Sequence, residues 1–245
     1  MIRSLLFILV MVVSVIPYAI ALLILSIFVR GRPLYNVAVG WLLVVIGTAR
    51  WIGGVQYRVQ GLENVPTAES NQPVILCPKH QSTWETFAFP TIMPHPLAFV
   101  FKKELLRIPF FGWCIGRLDM VHIDRSKRAE AWNKVAEQGV QLMEKGVWII
   151  MFPEGTRCAR GGKGSYKTGA TRLAVTTGAH IVPIAVSSGK CWPRRSFVLR
   201  PGIIDVSIGK PIDPAGREPE ELMREIEAWI EAEMRRIDPQ AYVAP

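Results

Sequence analysis

From Ser4 to Val29 the chain reads SLLFILVMVVSVIPYAIALLILSIFV and carries no charge. As a helix, these roughly 26 residues reach about 39 Å, longer than the roughly 30 Å hydrocarbon core of a bilayer. A segment this apolar belongs in lipid. Arg3 and the small-x-small run Ala19-Ile20-Ala21 also imitate a cleaved signal peptide, but the apolar run continues past that point to Val29. Pro17 suggests a kinked or re-entrant helix. A second apolar stretch, Val37 to Ala49, is short for a span and suits an interfacial or re-entrant helix packed on the first, with Trp41 and Trp51 at headgroup level. Arg30, Arg32 and Arg50 follow the first segment and only Arg3 precedes it, which places the rest of the chain in the cytoplasm, at the inner membrane.

The net charge of +9 calls for an anionic partner. With a membrane segment present, that partner is a lipid bilayer or a phosphorylated lipid; the basic residues are scattered and no nucleic-acid-binding signature appears, so nucleic acid is not expected. Cys77, Cys114, Cys158 and Cys191 are widely spaced, as reduced cytosolic thiols would be, with neither a disulfide framework nor a zinc site.

After Gly53-Gly54 the pattern changes. Short β-rich runs (Gln56–Gln60, Val74–Cys77, Leu97–Phe101, Met120–Ile123, Val147–Phe152, Ile181–Val186 and Ile203–Ile208) alternate with helical stretches (Thr83–Met93, Lys127–Lys145, Lys167–Thr177 and Glu218–Ile237). Several runs are apolar on both faces, as strands of a covered sheet are. The expectation is an α/β domain over residues 55–245, a mostly parallel sheet of about seven strands flanked by helices, behind a helical membrane anchor over residues 1–54. Ligands of such sheets bind beyond the carboxyl ends of the strands.

Three segments sit at such ends. In Lys79-His80-Gln81-Ser82-Thr83-Trp84-Glu85, His80 has the chemistry of a general base and Glu85 can hold its other ring nitrogen. Ser82-x-x-Glu85 is equally a capping box. In Phe152-Pro153-Glu154-Gly155-Thr156-Arg157, a Gly-containing turn frees backbone N–H groups and Arg157 offers a planar fork for a phosphate; Glu154 beside Arg157 also reads as a structural ion pair. Val121-His122-Ile123-Asp124-Arg125 carries another Arg beside an acid, or simply starts a helix with Asp124 or Ser126 as cap. Lys102, Lys103 and Lys167 add cations at equivalent strand ends.

Two other chemistries fail on inspection. Tyr166 stands where a phosphate loop needs the Gly before Lys167-Thr168, and no Gly-x-Ser-x-Gly elbow exists. Taken together, His80-x-x-x-x-Glu85, Ile123-Asp124-Arg125, Phe152 to Arg157 and Val182-Pro183-Ile184 resemble, in that order, the four motifs of the glycerolipid acyltransferase family. The resemblance spans about Leu76 to Val186, and the FPEGTR block is very specific.

It implies transfer of an acyl group from acyl-CoA or acyl-carrier protein to the sn-2 hydroxyl of lysophosphatidic acid, giving phosphatidic acid. His80 and Glu85 would be the catalytic dyad. Glu154, Gly155, Thr156 and Arg157 would form the glycerol-phosphate site, with Arg125, Lys167 and Lys102 as further cations. A hydrophobic acyl tunnel and a two-helix membrane motif are also implied, and no metal or cofactor. A different lysolipid acceptor, such as a lyso-ornithine lipid, and a non-catalytic scaffold for anionic lipid are the alternatives. The sequence departs from the family pattern at Glu85, where Asp is usual, at Asp119 and His122 in the second motif, and at Ala185 in the fourth.

Overall fold

In the computed structural model, residues 1–123 and 128–243 are described. Two long helices, α1 (Ile2–Leu25) and α2 (Arg32–Trp51), come first. Strand β1 (Val55–Gln60) follows, then β2 (Val74–Pro78), α3 (Trp84–Ile92), β3 (Leu97–Lys102), α4 (Phe111–Ile115) and β4 (Val121–Ile123). The chain continues through α5 (Arg128–Glu144), β5 (Trp148–Ile150), α6 (Gly169–Thr177), β6 (His180–Val186), β7 (Gly202–Ile208) and α7 (Pro219–Ile237).

The strands form one seven-stranded sheet in the order β1-β7-β6-β2-β5-β3-β4. Every neighbouring pair is parallel except β6 and β7, which run antiparallel. All seven expected strands are present, and the fold is the expected α/β sheet with flanking helices. Elements missed by periodicity are short: α4, and the 3₁₀ turns Leu62–Asn64, Lys103–Arg107, Ser188–Lys190 and Pro239–Ala241. The second apolar segment needs correcting. Its apolar run, Val37 to Ala49, implies a short helix, yet α2 covers 20 residues from Arg32 to Trp51. Pro33 pre-sets the first turn, and helical backbone carries through the polar ends that an apolar run leaves out.

The two-residue period of the strands explains why the sheet is covered on both sides. Along β2, Val74 and Leu76 pack with α2 and α3 residues such as Ala49, Phe87 and Phe89; Ile75 and Cys77 face the opposite cluster with α5, α6 and α7. Trp84 and Trp148 are the largest fully buried side chains on the first side; fully burying a large apolar side chain stabilises by about 1.5–3 kcal/mol. Helix α7 shows its logic plainly. Leu222, Ile226, Ile230 and Met234 make a buried stripe, Glu220 and Glu221 suit its positive N-terminal end, and Arg235 and Arg236 its negative C-terminal end.

Helix α1 is fastened along its length rather than tethered at one end. The Leu199 N–H donates to Ser4 Oγ at 3.0 Å, Trp41 Nε1 donates to Ser14 Oγ at 3.1 Å, and Cys114 Sγ lies 3.8 Å from the Ala19 carbonyl. Phe7, Val45, Ile46 and Ala49 join the same core cluster as the sheet. The outer face of α1, including Leu5, Leu9, Val12, Ile16 and Ile20, stays exposed. Such a continuous apolar face on a chain like this is a membrane-association surface.

Candidate active site

The site forms where the parallel strands end. Strand β2 stops at Pro78, the chain turns through Lys79 to Thr83, and α3 begins at Trp84. Ser82 Oγ accepts the Trp84 N–H at 3.0 Å, and Glu85 reaches back to accept the N–H groups of Gln81 (3.1 Å) and Ser82 (3.0 Å). The capping arrangement therefore forms, and it leaves the Glu85 carboxylate buried beneath the turn. His80 Nδ1 lies 3.4 Å from Glu85 Oε2, an ion-pair distance just outside good hydrogen-bond geometry. Its ring stacks on Phe152, with centroids 3.8 Å apart and planes at 19°. Capping and pairing are one arrangement.

Distant residues complete it. The Ser188 hydroxyl donates to Glu85 Oε1, and the Gly189 N–H donates to Gln81 Oε1 at 3.2 Å. Glu85 thus has one oxygen held by Ser188 and the other turned toward His80. Neither Ser188 nor Gly189 carries a sequence signal; an ordinary Ser-Gly pair after a strand reads as a turn.

The turn after β5 packs against the first. The His80 N–H donates to Glu154 Oε2 at 3.1 Å, and the His80 carbonyl accepts the Cys158 N–H at 2.8 Å. Gly155 sits at φ 66, a conformation that disfavours any side chain there. Arg157 Nη1 donates to Thr83 Oγ1 at 2.6 Å, which fixes the guanidinium beside the start of α3. Lys167, held through its N–H to the Pro153 carbonyl at 2.9 Å, lies over Gly155.

Glu154 sits elsewhere than its motif suggests. Its carboxylate is buried 3.1 Å from the Lys79 ammonium, which is itself 2.6 Å from Glu231 Oε1 on α7; Tyr166 donates to the same Glu231 oxygen at 2.8 Å. Burial alone pulls the Lys79 ammonium down, but the two carboxylates outweigh it and keep the ammonium protonated. Burial pushes the Glu154 carboxyl up, and Lys79 offsets this only in part. Lys79 and Glu231 give no sequence signal, because a Lys beside a His and a Glu inside an amphipathic helix are both ordinary surface residues by pattern.

His80, Gly155, Thr156, Arg157, Lys167 and Lys102 all line one cavity of about 640 Å³. Beyond them its walls are apolar, with Tyr18 and Leu22 of α1, Trp41 of α2, and Phe87, Phe99 and Phe111 of the α/β body among the lining. Arg125 lies outside the described residues, as do Asp124 and Ser126. Of the same segment, Ile123 lines the cavity, while His122 contacts Lys134 at 2.9 Å and is pulled below the ordinary histidine range by burial and by Lys134 and Lys103. Among the described residues no group of three or more His, Cys, Asp and Glu side chains is placed to hold a metal ion.

A family model described as Acyltransferase matches residues 56–187, a span holding the turns after β2 and β5 and six of the seven strands. The chain belongs to the acyltransferase family. A 1-acyl-sn-glycerol-3-phosphate acyltransferase of Pseudomonas aeruginosa is 41% identical over 202 residues, covering 81% of this chain and 77% of that protein. The Escherichia coli protein of the same name is 37% identical over 151 residues, 60% of this chain and 59% of that one. The crystal structure of the 1-acyl-sn-glycerophosphate acyltransferase PlsC from Thermotoga maritima superposes with a TM-score of 0.80 at 26% identity, covering 97% of this chain and 95% of that one.

Proposed function

We propose that this protein acylates lysophosphatidic acid at its sn-2 hydroxyl, using a fatty acyl thioester of CoA or acyl-carrier protein, and releases phosphatidic acid. One observation carries the reading: His80, with the Glu85 carboxylate buried behind it, and Arg157 line one cavity together with Lys102 and Lys167, and its other walls are apolar enough for an acyl chain. The names of the similar bacterial proteins support the choice of acceptor.

With Nδ1 toward Glu85, His80 presents Nε2 to the cavity. The acceptor hydroxyl gives its proton to Nε2 while its oxygen attacks the thioester carbonyl; the C–S bond then breaks, and the imidazolium returns the proton to the leaving thiolate. Glu85 stabilises the imidazolium between these steps. The 3.4 Å contact is long for a hydrogen bond, and such contacts tighten in the reacting complex. A thioester is already activated, so alignment and a base that contributes about 10²–10⁴-fold suffice without a covalent enzyme intermediate.

Arg157 and Lys167 hold the acceptor phosphate over the Gly155-Thr156 turn, with Lys102, which lines the same cavity, and Arg125 as further cations. Glu154 takes a different part. An ionised carboxylate would repel a phosphate, whereas buried with Lys79 it anchors the backbone of His80. Residues 55–245 form the catalytic unit and residues 1–54 its membrane-binding helices. Because α1 is fixed to the body at both Ser4 and Ala19, about 22 Å apart along the helix, it lies on the membrane alongside the body rather than crossing away from it. The arginines that follow α1, Arg30, Arg32 and Arg50, favour the anionic cytoplasmic leaflet, which supports a catalytic part facing the cytoplasm at the inner membrane.

The test is acyl transfer by purified protein against a panel of lysolipids with both carriers. Transfer to lysophosphatidic acid, lost by at least about 10²-fold in His80→Ala while lipid binding is retained, is the expected result. An active His80→Ala variant would eliminate the mechanism.

A further inference from the structure

We infer that the loop of residues 191–200 is a second membrane contact, resting on anionic headgroups and passing the acceptor lipid to Arg157. This rests on the acyltransferase reading above. The loop is a closed unit, since the Arg200 N–H donates to the Cys191 carbonyl at 2.8 Å. Its base is buried against α1: Trp192 meets Phe7 edge-on with centroids 5.1 Å apart, and Leu199 bonds to Ser4.

Its tip is the opposite. Phe197 is 80% exposed, Val198 is exposed beside it, and Arg194, Arg195 and Arg200 are exposed around them. Arg195 holds φ 57, which costs a non-glycine residue on the order of 1 kcal/mol. Between Val186 and Asp205 the chain carries Lys190, Arg194, Arg195 and Arg200 and no acid. An aromatic ring among arginines suits neither open water nor a protein core, but it suits the headgroup layer of an anionic bilayer.

The surroundings select the same occupant. The loop borders the first turns of α1, where Ile2, Leu5 and Leu6 are exposed, so the apolar membrane face continues into it. At its other side α2 ends in Trp51, 82% exposed beneath the Arg50 guanidinium, and Leu199 packs on Gly53 so closely that a methyl there would lie 2.7 Å from Leu199 Cδ1. Trp51 and Phe197 thus flank one aromatic and basic rim. From that rim Arg194 Nη1 donates to the Arg157 backbone carbonyl at 2.8 Å, which joins the loop to the turn that carries the cavity-lining Arg157. A lipid that is itself an anionic phosphate monoester is drawn to the exposed arginines of the loop, next to the turn that holds Arg157.

The test compares one variant on two forms of the same acceptor. In Arg195→Gln/Phe197→Ser, the apparent KM for lysophosphatidic acid diluted in phosphatidylglycerol-containing vesicles is expected to rise about tenfold, a single basic residue at an anionic surface accounting for about fivefold and the aromatic for the rest. With a short-chain, water-soluble lysophosphatidic acid, kcat and KM should match the wild type, which also reports an intact fold. Equal losses on both acceptors, or none on either, would overturn the inference. So would a loss confined to the carrier-protein donor, which would make the rim a protein-docking site. Wild-type protein that acylates neither acceptor would instead remove the acyltransferase reading on which this one stands.

Discussion

Lys79→Met isolates the contribution of the buried charges under the catalytic turn. Methionine fills much of the space of the lysine stem, so the change is chiefly the loss of an ammonium lying 3.1 Å from Glu154 and 2.6 Å from Glu231. Two carboxylates then share a dry site with no cation between them. Removing one partner of a buried ion pair costs about 3–5 kcal/mol. In a chain of this size each kcal/mol moves the melting midpoint by about 2–4 °C, so a fall of roughly 6–20 °C is expected.

The pH dependence supplies a second signature. Burial already holds the Glu154 carboxyl above its ordinary value, and losing Lys79 raises it further. A carboxyl raised in the folded state favours folding when protonated, so its contribution is lost as pH rises through the folded value. The deficit relative to wild type should therefore be largest near pH 8 and narrow toward about pH 5. Melting in detergent can be followed with a thiol-reactive dye, since Cys77, Cys158 and Cys191 are buried until unfolding. A midpoint within about 2 °C of wild type at pH 8, or a deficit that widens on acidification, would refute the assignment.

Two further outcomes follow from the same geometry. Arg157→Ala should raise KM for lysophosphatidic acid more than it lowers kcat if the guanidinium binds the headgroup as proposed; unchanged kinetics on that acceptor would contradict it. Ser188→Ala should lower kcat about tenfold with little change in KM, since losing one hydrogen bond to a charged group is worth about 1.5–3 kcal/mol and here frees the carboxylate that orients His80; a rise in KM alone would show that Ser188 acts on binding instead.

Much of this site is legible in the chain because its chemistry is local. His80 and Glu85 lie in one strand-to-helix turn, and Gly155, Thr156 and Arg157 in another, so motif and geometry coincide. The strands are legible for a related reason: residues such as Val74 to Cys77 are apolar on both faces because helices cover both sides, and a short continuous apolar run between turn residues is the mark of a strand buried in this way. Glu154 shows where reading by motif stops. Its neighbours in sequence line the cavity, but its own partner is decided by the ammonium of Lys79, which becomes visible only once β2 and β5 lie side by side.

The residues that hold the dyad come from farther still. Ser188 reaches Glu85 across 103 positions, and Glu231 reaches Lys79 across 152. Both lie beyond residue 187, where the family match ends. The four motifs therefore carry the proposed reacting groups, but not everything that aims them. The antiparallel turn from β6 to β7 brings Ser188 over the carboxylate, and the amphipathic stripe of α7 sets Glu231 against the far side of the sheet. Low-specificity features, a Ser-Gly turn and a helix of ordinary composition, thus fix the orientation of a highly specific pair. A chain cut at residue 187 would keep all four motifs, lose both of these contacts, and leave Glu85 without its hydroxyl donor and Lys79 without its nearer carboxylate.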